Sequence, residues 1–133
     1  MGNRAVITTS ASRSTGIGIY LHWNGGLESV LAFLAAAKAR GYRRPDPNGD
    51  TSYAMARLCG LICEFTGLRE ETGIGIGTLK ELDTDNYDNG TYVIGGDWEL
   101  LSRWGRGRSC RKTVEELDER ERMQYDGILV HLK

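Results

Sequence analysis

Five cations fall within the ten residues Arg103–Lys112 (RWGRGRSCRK): Arg103, Arg106, Arg108, Arg111 and Lys112. Guanidinium groups form paired bonds to phosphate and stack on planar rings. Trp104, in the same stretch, offers an aromatic face that can hold a base. The competing reading is a solvated basic loop paired with the acidic run Glu115–Glu121 directly after it. A further cation, Arg57, interrupts an otherwise apolar helical turn (AMARLCG) and needs a partner there. Glu64, a bound anion or an Asp-rich loop would each serve. That loop is Asp83–Gly90 (DTDNYDNG). Asn carries donor and acceptor together and Asp accepts from hydroxyls, so Asn86, Asp88 and Asn89 suit ribose hydroxyls and base edges. Alternatively, the same side chains bond their own backbone as an Asx-rich hairpin loop.

Catalytic chemistry finds little to use. The two histidines are His22, within a strand, and His131, near the last residue. GxSxG, HExxH and Walker A patterns are absent. Gly73, Gly75 and Gly77 give GxGxG, but Thr78 follows and a strand continues, so the dinucleotide fingerprint fails. Cys59 and Cys63 are four apart on a helix and embedded in RLCGLICEF, which reads as buried thiols rather than a metal pair. Read as an EF-hand from Asp83, the acidic loop puts Tyr87 at position five and Ile94 at position twelve, so that match fails too. The expectation is a non-enzyme with no metal and no cofactor. For a nucleotide hydrolase or transferase, His22 beside a carboxylate would be the one obvious general base.

The elements that must position these groups follow from the whole chain. At 133 residues, with 40% hydrophobic and 26% charged residues, one domain spanning 1–133 is expected. A net charge of −1 argues against non-specific duplex nucleic acid as partner. No apolar run reaches membrane-spanning length, and the first residues read as a strand, not as a secretory signal. Three cysteines argue against a disulfide framework and for a reducing compartment.

Asn3–Thr9 reads as a strand, and Ile17–Trp23 alternates as a half-buried one. Leu27, Val30, Leu31 and Leu34 switch to helical spacing, ending at Gly41. The stretch Tyr42–Asp50 is a loop. A second helix runs from about Thr51 to Thr66, with core face Ala54, Leu58, Leu61, Ile62 and Phe65. A strand from Thr72 to Leu82 is crossed closely by a backbone, ring or ligand. With Thr91–Ile94 and Trp98–Trp104 it makes a three-strand antiparallel meander. Thr113 and Glu116 form a capping box opening a charged last helix, which Gly127 interrupts. The fold class is therefore α+β: an antiparallel sheet, two helices inserted after the first strands, the meander and a C-terminal helix.

The phrases NRAVIT, GIYLHWNGG and DTDNYDNGTYVI together resemble a family of small proteins carried by phages, prophages and plasmids. The likeness covers most of residues 3–104 and not the C-terminal 29. It is to the phage anti-defence proteins that sequester the cyclic ADP-ribose signal of the Thoeris immune system. The resemblance implies a non-catalytic, homo-oligomeric sponge in the bacterial cytoplasm, with arginines on phosphate and Asn or Asp on ribose. Carried onto this chain, those roles fall to Arg57, Asn89 and the arginines Arg106, Arg108 and Arg111. Leu82 stands near the place where the family offers an aromatic ring, and a leucine there stacks less well. The alternative from another class is an anti-CRISPR-type inhibitor binding a host immune effector protein, with the four carboxylates of Glu81–Asp88 imitating nucleic-acid phosphates.

Overall fold

In the computed structural model, residues 2–9, 16–45, 51–67, 73–105 and 113–133 are described. The strand reading of two largely apolar runs has a topological consequence. β1 (Ala5–Thr8) and β4 (Thr91–Gly95) are buried at every residue. A strand buried on both faces belongs inside a sheet, with packing above and below. Both are interior: the five-stranded order is β3-β2-β1-β4-β5, with β2 at Ile17–Leu21, β3 at Ile74–Thr78 and β5 at Glu99–Trp104.

The chain is α+β, with helices between the strand groups and a helix at the C-terminal end, as the sequence leads one to expect. Two details of the sheet differ. It is mixed, because β1 pairs with β4 in parallel while β1–β2, β2–β3 and β4–β5 are antiparallel. The expected meander also divides. β4 and β5 form its hairpin, whereas β3 pairs with β2 at the far edge. The cause is the segment after β3, which stops at Thr78 rather than Leu82 and crosses the outer face of the sheet to reach β4. A crossover of a dozen residues is what parallel strand directions need, and Leu79–Gly90 supplies it.

Missing side chains make that crossing possible. A β-carbon on Gly18 would sit 3.0 Å from both Leu79 and Leu82, and one on Gly77 would sit 3.2 Å from Leu82. The glycine-rich strand face is therefore closed by the protein's own leucines. Leu79 is almost wholly buried there, with Val6 and Val93 beneath the same cover.

The inner face carries Ala5, Ile7, Ile19, Leu21, Tyr92 and Ile94 against α1 (Leu27–Ala39), α2 (Thr51–Thr66) and α3 (Glu119–Leu132). Phe33 is fully buried at the centre and stacks edge-on with Phe65, which meets His131 in the same way. Burying a ring of that size contributes roughly 1.5–3 kcal/mol. α1 ends in a left-handed Gly41, whose N–H donates to Lys38 O while Tyr42 N–H donates to Ala37 O. Gly127 does not break α3, which runs through it. The Thr113–Glu116 capping box opens one short 3-10 turn, Val114–Glu116. The long helix has its own box, in which Asp118 accepts from Glu121 N–H and Glu121 accepts from Asp118 N–H.

Candidate functional site

The loop after α1 and the first turns of α2 build an open cationic basin. Tyr53 and Arg57 are one helical turn apart, so both side chains leave the same side of α2. Arg57 donates to the Tyr53 hydroxyl, and its guanidinium carbon lies 4.9 Å from the ring centroid. Arg43, from the loop, places its own guanidinium carbon 4.8 Å from that centroid. Gly41, Tyr42 and Arg44 complete the lining of an open cavity of about 710 Å³.

Glu64, one of the partners considered for Arg57, is taken. Glu64 accepts two bonds from Arg40, which also donates to the Tyr42 hydroxyl and to the Leu132 carbonyl at the end of α3. Arg40 thus holds the Glu64 carboxyl below the usual carboxylate range, while Glu64 and Tyr42 raise the guanidinium. Among the described residues, Arg57 bonds to the Tyr53 hydroxyl, and its side chain lines the basin.

The turn between β4 and β5 backs this basin. Trp98 donates its indole N–H to the Tyr42 carbonyl at 3.2 Å and is itself almost fully buried. It does so from a left-handed backbone, φ 60°. Bulky residues adopt that conformation rarely and at a cost of order 1–3 kcal/mol, and such strain gathers where geometry matters. The neighbouring Asp97 pairs with Lys38 at 2.8 Å and with Arg44 at 3.8 Å. Lys38 donates to the Asp97 carboxyl and keeps it below its ordinary range, with Arg44 adding to the effect.

The acidic loop turns out to be built for itself. Asn86 is fully buried: its amide donates to Asp83 O and Gly90 O, and its oxygen accepts from the N–H groups of Asn89 and Gly90. Asn89 donates to Asn3 Oδ1 and Arg4 O and accepts from Arg103. Asp88 accepts from the backbone and side chain of Arg4, which pulls its pKa down. Asn86 therefore ties the crossover to itself, while Asp88 and Asn89 weld it to the residues leading into β1, and Asn89 also to the end of β5. The carboxylates proposed as a phosphate mimic are also engaged, among them Asp83 and Asp88 by Arg4, and Glu81 by the Thr78 hydroxyl.

The sequence-derived ligand set is thus divided. Leu82, Asn86, Asp88 and Asn89 belong to the crossover, and Leu82 covers Gly18 and Gly77 on the outer face of the sheet. Arg57 stands in the helix layer on the inner face. Trp104 ends β5 opposite Thr91 and is half-buried. Arg106, Arg108 and Arg111 lie outside the described residues. The residues that sequence reasoning missed are Tyr42, Arg43, Arg44 and Tyr53. Their signal was present as GYRR after a helix stop and a Tyr–Arg pair four apart.

His22 is half-buried, with Nδ1 3.1 Å from the Tyr20 hydroxyl and its ring edge-on to Trp23. Burial raises the Tyr20 pKa, so the phenol stays protonated at neutral pH. Burial, with Cys63 adding, pushes the Cys59 thiol up to about 11, which leaves it a poor nucleophile. Among the described residues, no group of three or more His, Cys, Asp or Glu side chains is placed to hold a metal ion, and no helix is long and apolar enough to cross a membrane. No protein-family model, curated protein or solved structure matches the chain.

Proposed function

We propose that this protein binds and withholds a phosphate-bearing nucleotide signal, of the cyclic ADP-ribose type, without converting it, and acts as an anti-defence sponge. The observation that carries this reading is the basin in which Arg43, Arg44 and Arg57 gather around Tyr53. Guanidinium groups preset beside an aromatic ring suit a phosphate with an attached planar group. The resemblance to phage sponges supports the same ligand class, and Arg57 is common to both lines of argument. Beside Arg57 the contacts proposed here are Arg43 and Arg44, and Asn89 is left out because it spends its groups on the fold. A basin this open on one chain gains burial when a second copy closes over it, so a homo-oligomer is part of the proposal.

Isothermal titration with cyclic ADP-ribose isomers and cyclic oligonucleotides tests the reading. The expected outcome is heat with at least one cyclic nucleotide, binding weakened in Arg57→Ala, and ligand recovered intact after denaturation. Absence of heat with all of them, or product formation that persists through washing and repurification, overturns it.

A further inference from the structure

Asp97 sits at the rim of the basin and holds two cations at once, Lys38 through one carboxylate oxygen and Arg44 through the other. All three side chains are at least half exposed. Such pairs exchange partners readily, because water and salt already screen them. The turn that carries Asp97 also carries Trp98, which fixes the loop of Tyr42, Arg43 and Arg44. The carboxylate is therefore held beside the anion site by the same strained turn that shapes it.

We infer that Asp97 is a specificity-determining residue that makes the basin select anions carrying more than one negative charge. The inference rests on the proposed anion-binding reading. A singly charged ligand that takes Arg44 from Asp97 replaces one negative charge by another and gains little at the rim. A ligand with two or more charges engages Arg57 and Arg43 at Tyr53 and still has charge left to displace Asp97 from Arg44. The selected class is a diphosphate or a terminal phosphate dianion, and a lone phosphodiester is discriminated against.

The experiment is an NMR titration of the arginine Nε–Hε signals with dimethyl phosphate, which has one charge, and with inorganic pyrophosphate. The native protein is expected to bind pyrophosphate at least about ten-fold more tightly. In Asp97→Asn, dimethyl phosphate tightens and the ratio narrows by about five-fold. Asp97→Glu, which keeps the charge, retains the native ratio. If pyrophosphate shifts the Arg57 signal but Asp97→Asn leaves the ratio unchanged, the role of Asp97 is refuted and the basin stands. If neither anion shifts an arginine signal in any of the three proteins, the anion site and the inference fall together.

Discussion

Asn86 and Arg57 were both candidate ligand contacts, and they stand at opposite ends of a scale of commitment. Asn86 fills its bonding capacity inside the fold, whereas Arg57 spends one donor on Tyr53. Their substitutions therefore separate folding from binding. Asn86→Ala orphans buried backbone groups and is expected to cost about 3 kcal/mol, read from the urea midpoint. Arg57→Ala is expected to leave that midpoint in place while weakening anion affinity about ten-fold, because it removes an exposed charge-assisted partner. A large midpoint shift in the Arg57 variant would place that residue with the fold instead. Composition alone does not distinguish the two cases. An Asn in a Gly- and Asp-rich loop looks the same whether its amide faces inward or outward.

Arg40 binds three elements together: the end of α1, Glu64 on α2 and the Leu132 carbonyl that ends α3. Arg40→Met is expected to lower the urea midpoint and to speed amide exchange in the final turn of α3. It also has a signature in acid. Glu64 has a depressed folded pKa, so its contribution is complete above the ordinary glutamate range and is lost as pH falls through the lowered folded value. Asp88 titrates in the same sense against Arg4. Stability of the native protein should thus decline below about pH 4, and the decline should be shallower in Arg40→Met, measured by urea melts across pH. At this scale much was legible. The spacing of Leu27, Val30, Leu31 and Leu34, and the stop at Gly41, place α1 within a residue or so of its observed ends. Sheet order was not, since alternation says which face a residue uses and not which strand lies beside it. The largely apolar runs of β1 and β4, with threonine their one polar residue type, held the clue, because a strand with so little polar surface belongs in the interior. Which arginine takes Glu64 was also out of reach: Arg40 meets it across a helix interface that only the fold creates.

The sheet separates two regions of different character across the whole molecule. The outer face is sealed by its own crossover, and the helix face opens at the arginine basin. Anion binding should consequently depend on salt while the crossover does not. Raising sodium chloride from about 50 to 200 mM is expected to weaken pyrophosphate binding several-fold and to leave the Asn86→Ala penalty unchanged. A binding constant indifferent to salt would argue that contacts other than the guanidinium groups hold the anion. The buried indole of Trp98, tied to the carbonyl of Tyr42, offers a final consequence. Of the three tryptophans, Trp23 is 45% exposed and Trp98 only 4%. Their emission should differ in colour, and the bluer component should come from the ring that touches the basin loop. Occupancy is then readable as a change in intrinsic fluorescence, without a label, and Trp98→Phe should silence it.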